Sequence, residues 1–168
     1  MRICGIDPGT LVVGYGIIDS QADAMSLITY NTITCSPHSP ISERLCFLFE
    51  GLSDVIRNHK PDVVAVEQPF VSKNVKTALA IGKAQAVAIL AASRQGIPIF
   101  EYTPAEVKRV VANYGASSKE QIQEMVKLQL GMDEIPRPDD ASDALAVAIC
   151  HLRQSCFKAI LAQQEETQ

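Results

Sequence analysis

The sequence predicts an α/β fold built on a mixed five-stranded sheet with helices on both faces. Three observations carry this expectation. Three strand-like segments follow one another through short linkers at the start of the chain, as in an antiparallel meander. Two further β-branched runs then alternate with helical patterns, as in βα units. The chain has 168 residues, 47% apolar and 20% charged, which is one domain's worth of ordinary globular composition. A chain of about this size buries roughly 68–70% of its unfolded surface, so it can build a core without staples. Aromatics make up only 5% and Trp is absent, which argues against an aromatic-rich all-β binding module.

Residues 2–7 are short and apolar and run into Asp-Pro-Gly, a buried strand ending in a turn. Residues 12–19, with Gly14 and Gly16 inside, and residues 24–35, rich in Ile, Thr and Tyr, complete the meander. Ser-Pro steps at 36–40 break the pattern. Residues 42–59 then set Leu45, Leu48, Phe49, Leu52, Val55 and Ile56 on one helical face, which Pro61 ends. Residues 62–67 form a buried strand, 74–94 a long Ala-rich helix with Gly82 in its middle, and 97–102 a fifth strand. Pro104 opens a short helix over 105–113. Ser117-Ser-Lys-Glu120 reads as a capping box for a helix that reaches Leu130. Asp139 or Asp140 caps a last helix over 141–161. Residues 1–161 make a single domain, and 162–168 form a tail expected to lack order.

The formal net charge of −4 excludes a nonspecific polycationic coat for nucleic acid, but the distribution is uneven. Residues 1–70 carry −4, residues 71–132 carry +4 and residues 133–168 carry −4. A basic surface beside a cluster of carboxylates is one physical reading. The five cysteines are odd in number and none has CxxC spacing, so neither a disulfide framework nor a zinc site is expected. No basic segment followed by an apolar one opens the chain, and no apolar stretch approaches the roughly 20 residues of a membrane span. A reduced, cytoplasmic setting is expected.

Four carboxylates stand at unusual places. Asp7 ends the otherwise apolar first strand, Glu67 ends the fourth, and Asp140 and Asp143 lie three apart at the start of the last helix. Each has a bland reading: Asp7 before Pro-Gly is a turn former, and the helical pair could cap and favour the helix dipole. If strands one and four are neighbours, however, Asp7 and Glu67 lie side by side where open sheets bind ligands. Two unit charges about 4 Å apart repel by roughly 1–4 kcal/mol, so such a cluster calls for cations or for protonation. Hard divalent cations such as Mg²⁺ take oxygen ligands and leave room for phosphate. Two of them can drive an in-line displacement, which points to phosphodiester hydrolysis.

Other chemistries find little support. His38, His59 and His151 lack metal-ligand spacing, no Ser lies in GxSxG, and Gly82-Lys83 lacks the rest of a phosphate-binding loop. Lys73, Lys76 and Lys83 around the long helix, Lys108 and Arg109 on the short helix and Lys119 on the next could together meet phosphates. Each alone reads as a solvated surface charge. Phe70, between Pro69 and Lys73, is either a core residue or a wedge that stacks on an unpaired base. The small residues Ala78, Gly82 and Ala86 allow the long helix to pack closely, either on its own sheet or on a second copy.

Gly5-Ile-Asp-Pro-Gly9, Gly14-Tyr-Gly16, Glu67-Gln-Pro-Phe70 with Lys73-Asn74, and Asp140-Ala-Ser-Asp143-Ala-Leu145 together resemble the RuvC family of bacterial Holliday junction resolvases. The likeness covers nearly the whole chain, and the ordered set is far more specific than its opening motif. It implies a ribonuclease-H-like fold, a homodimer, and Mg²⁺-dependent symmetric nicking of a four-way DNA junction in concert with a RuvA–RuvB branch-migration complex. It implies two ions per site, with Mn²⁺ as a possible substitute. The family's catalytic carboxylates carry over onto Asp7, Glu67, Asp140 and Asp143, its basic residues near the scissile phosphate onto Lys108 and Lys119, and its junction-inserted aromatic onto Phe70. Asp139 is an extra acid outside this pattern. The chain departs from the family in its long helix, where Gln85 replaces an Arg and Ala86 a Gly. Rival readings are an actin-like ATPase or sugar kinase, which needs two such domains, a related nuclease acting on ribosomal RNA precursors, and a noncatalytic DNA-binding module.

Overall fold

The computed structural model describes residues 1–21, 24–68, 75–112, 115 and 117–165, and the elements fall in the expected order. Strands β1 (Arg2–Asp7), β2 (Val12–Gln21) and β3 (Ala24–Thr34) form the antiparallel meander. Helix α1 (Ile41–His59), β4 (Val63–Glu67), α2 (Val75–Ser93) and β5 (Ile99–Tyr102) follow as βα units. Helices α3 (Pro104–Ala112), α4 (Lys119–Gln129) and α5 (Asp139–Glu165) complete the chain. The sheet order is β3-β2-β1-β4-β5, with β4 parallel to both β1 and β5.

The pleat divides the core in two. Ile3, Ile18 and Ala65 face α3, α4 and α5, whereas Cys4, Ile6, Ile17, Val64 and Val66 face α1 and α2. Helix α1 contributes Leu48, Leu52 and Ile56, and α2 contributes Ala88, Ala91 and Ala92. The stretch of α5 from Ala144 to Cys150 is buried at every position, which is why its sequence shows no polar face.

That helix lies directly on β1 and β2, and glycines make this possible. A Cβ on Gly5 would stand 2.0 Å from the Ala144 carbonyl oxygen, and one on Gly14 would stand 1.9 Å from the Asp140 carbonyl oxygen. One on Gly16 would fall 2.6 Å from the Leu145 side chain. Gly5 pairs with Gly16 across the ladder and Asp7 pairs with Gly14, so the three glycines and Asp7 share one patch under the start of α5.

The structure shifts several boundaries, each for a local reason. β5 begins at Ile99 rather than 97, because the Ile97 N–H closes the end of α2 on the Ala92 carbonyl and Pro98 has no N–H. The capping box of α4 sits one residue later than expected. Ser118 accepts from the Gln121 N–H and donates its own N–H to the Gln121 side chain, while Ser117 is buried. α5 starts at Asp139 because the Pro138 carbonyl, not an Asp side chain, receives the N–H groups of Ala141 and Ser142. It ends at Glu165, four residues beyond the expected Leu161. No helix among the described residues is long and apolar enough to cross a membrane.

Gly5→Ala and Gly14→Ala must push α5 off its seat. Each is expected to lower stability by about 3 kcal/mol, read from urea unfolding. Unchanged stability in both would contradict this packing.

Candidate active site

Because side chains alternate along a strand, Ile3, Gly5 and Asp7 point to the α5 side of β1, and Val63, Ala65 and Glu67 point to the same side of β4. The parallel register sets Ile6 beside Val66, so Asp7 and Glu67 emerge together at the carboxyl end of the two central strands. The meander leaves β1 on one side and the βα units build outward on the other, so this is the point at which the strand order switches. A cleft of about 210 Å³ opens there. Asp7, Glu67 and Asp143 supply its acids, Lys108 and Lys119 its bases, and Pro104, Val107, Ile122 and Ala146 its apolar wall.

Helices α3 and α4 aim the lysines. At the start of α3 the Glu106 carboxylate accepts from the Thr103 N–H at 2.8 Å and from its hydroxyl at 2.7 Å, and the Glu106 N–H donates back to that hydroxyl. This clamp fixes the first turn of α3, one turn before Lys108. The shifted cap of α4 makes Lys119 its first residue. The Lys119 ammonium lies 3.0 Å from Asp143 and 3.3 Å from Asp139.

The acids strain against one another. Burial, then the charges of Glu67, Asp143 and Asp140, push the Asp7 carboxyl up to about 8, against the pull of Lys119. Burial and Asp143 also raise Glu67, while a hydrogen bond with Asp7 and the two lysines resist. The pair therefore shares a proton near neutral pH. Asp143 is raised by burial, opposed by its hydrogen bond to Lys119. Burial works against the charge of Lys119, but Asp143 and Asp139 outweigh it and raise its pKa. This donor set is entirely oxygen and carries excess negative charge, which fits a hard divalent cation. Among the described residues, no three acidic, His or Cys groups already stand at common ligand distances; Lys119 answers part of the charge instead.

Of the residues singled out in the sequence, Asp7, Glu67, Asp143, Lys108 and Lys119 meet in the cleft. Asp140 is half-buried beside it rather than lining it, and reaches Asp7 and Asp143 through its charge. Lys76 and Lys83 are exposed on α2 and do not line the cleft. Phe70 and Lys73 lie outside the described residues. Sequence reasoning passed over Arg137, Gln123 and the role of Asp139. With α5 starting at Asp139, residues 139 and 143 are one turn apart and share the face that Lys119 touches. The i, i+4 spacing was visible; the position of the cap, which decides which acids face α4, was not.

A mixed sheet in this order with an acidic cleft at its switch point defines a ribonuclease-H-like nuclease domain. Comparison with known proteins narrows the class. Residues 3–151 match the family model for the crossover junction endodeoxyribonuclease RuvC. The chain is 56% identical over 167 residues to the RuvC crossover junction endodeoxyribonuclease of a Dehalococcoides mccartyi strain, covering 99% of this chain and 100% of that one. It is 49% identical to that of Desulforamulus reducens, covering 92% and 95% of the two chains. The structure of Thermus thermophilus RuvC in complex with a Holliday junction substrate superposes with a TM-score of 0.89 at 31% identity, covering 94% and 96%. The chain belongs to the RuvC family, crossover junction endodeoxyribonucleases that depend on metal.

The raised Asp7 sets the sign of a pH effect. Without divalent cation, the folded protein keeps a proton at Asp7 that the unfolded chain loses near pH 4, so stability falls as pH rises from about 4 to 8. Asp7→Asn abolishes that loss. At pH 8 in chelator the variant is expected to exceed the parent by more than about 1 kcal/mol in urea unfolding, with the gap closing by pH 4. Equal stabilities at pH 8 would contradict the crowding of the acids.

Proposed function

We propose that this chain is a Mg²⁺-dependent endonuclease that resolves four-way DNA junctions by paired, symmetric nicks during recombination and repair. The observation that carries the reading is the convergence of Asp7, Glu67 and Asp143 with Lys108 and Lys119 in one cleft at the switch point of the sheet. Membership of the RuvC family supports the substrate.

In this reading Asp7, Glu67, Asp140 and Asp143 hold two Mg²⁺ ions, for which Mn²⁺ can substitute. Asp7 is central to that set, because its carboxyl feels the charge of all three others. Cations held there would supply an activated water and neutralise charge on a leaving oxygen. The described residues that line the cleft include no Ser, Cys, Thr or Tyr, and in this reading its carboxylates serve as cation ligands, which leaves water as the nucleophile. Lys119 swings from Asp143 toward the phosphate and stabilises the charge that develops on it, and Lys108 holds the strand through its backbone. Pro104, Val107 and Ile122 shield the cleft wall from water and strengthen these attractions.

Lys76 and Lys83, exposed on α2, extend the basic track along the junction arms, and Phe70 and Lys73 are proposed as further junction contacts. Symmetric nicking requires two clefts related by a two-fold axis, hence a homodimer. Exposed Leu79 and Leu90 on the small-residue helix α2 give that partner an apolar surface. A RuvA–RuvB complex as partner and a cytoplasmic setting follow from the family reading.

A synthetic immobile junction incubated with this protein and Mg²⁺ is expected to yield paired nicks of matching strand lengths on a denaturing gel. Glu67→Gln is expected to slow nicking by more than about 100-fold while junction binding persists. Nicking that continues in excess chelator, or at the parent rate in Glu67→Gln, overturns the assignment.

A further inference from the structure

Asp139 divides its two oxygens between two tasks. Its Oδ1 accepts from the buried Gln123 amide at 3.0 Å and pairs with Arg137. Its Oδ2 faces the Lys119 ammonium at 3.3 Å. Gln123 and Lys119 are one turn apart on α4, so a single face of that helix grips Asp139 with two side chains. Lys119 is shared: its other carboxylate is Asp143, which lines the cleft, whereas Asp139 does not. A divalent cation that engages Asp143 competes for the carboxylate oxygens on which Lys119 rests. Asp139, anchored from behind by Arg137 and Gln123 and outside the cleft, keeps its oxygen for Lys119. Without it a half-exposed lysine would be free to sweep solvent.

We infer that Asp139 is a positioning residue that retains Lys119 at the rim of the cleft when a divalent cation takes Asp143. The inference rests on the role given to Lys119 above, and it assigns to Asp139 a part that the family's four carboxylates leave open. Asn at this position keeps the shape and can still accept from Gln123, but offers Lys119 no charge.

The test is a double-mutant cycle on single-turnover nicking of a synthetic junction, with enzyme in excess and Mg²⁺ saturating. Asp139→Asn is expected to slow nicking roughly tenfold in the parent. In a Lys119→Met background the same substitution is expected to change the rate by less than about twofold, since residues acting as a unit are not additive. Junction affinity without divalent cation should hold, because the change removes no phosphate contact, and the thermal midpoint should fall by no more than an exposed ion pair and a first-turn charge contribute. Parent-rate nicking by Asp139→Asn overturns the inference, as does an equal loss in both backgrounds, or a loss that tracks a lowered thermal midpoint. If Lys119→Met alone nicks at the parent rate, the role of Lys119 itself is wrong and falls separately from the Asp139–Lys119 coupling.

Discussion

The approach of α5 to a floor of glycines governs this molecule. Gly5, Gly14 and Gly16 remove the side chains that would hold the helix at ordinary packing distance, and backbone then rests almost on backbone. The glycines set a position as well as a distance. They lie in register with Asp7, so the first turns of α5 can come down only beside the end of β1. Acids separated by more than 130 positions in the chain are thereby drawn to one end of the sheet. β4 arrives in parallel register on the other side and delivers Glu67 to the same place.

Such convergence opposes folding. Burying Asp7, Glu67 and Asp143 together costs desolvation and mutual repulsion, and the fold relieves this by holding a proton on the Asp7–Glu67 pair and an ammonium on Asp143. In the proposed reading this strain suits function: a site that over-collects negative charge favours divalent cations, whose arrival would displace its proton and its lysine. Two buried clusters, one on each face of the sheet, support the strands that carry these acids.

Much of this was legible in the sequence. Element order, the meander and the acids at the ends of strands one and four follow from hydrophobic periodicity and from an Asp or Glu closing an apolar run, and the ordered motifs pointed to the RuvC family before any coordinates. What escaped depends on register and on caps. Gly14-Tyr-Gly16 was placed within a strand and within the motif set, but its packing role appears only when α5 is laid over it. The N-terminus of α5 was expected on an Asp side chain, but Pro138 supplies its carbonyl instead, and that two-residue difference brings Asp139 round to Lys119. Likewise, the capping box expected at Ser117 forms at Ser118 with Gln121, while Ser117 is buried.

The measurement that bears most directly on this picture is the number of protons released when Mg²⁺ binds, obtained by titration calorimetry in buffers of differing ionisation enthalpy. If the acids crowd as described, binding at pH 7 expels close to one proton per site, falling toward zero by pH 9 as the Asp7–Glu67 pair ionises by itself. Magnesium binding with no proton release at pH 7 would mean that the carboxylates stand apart, each already ionised, and that the seat of α5 does not do what is claimed for it.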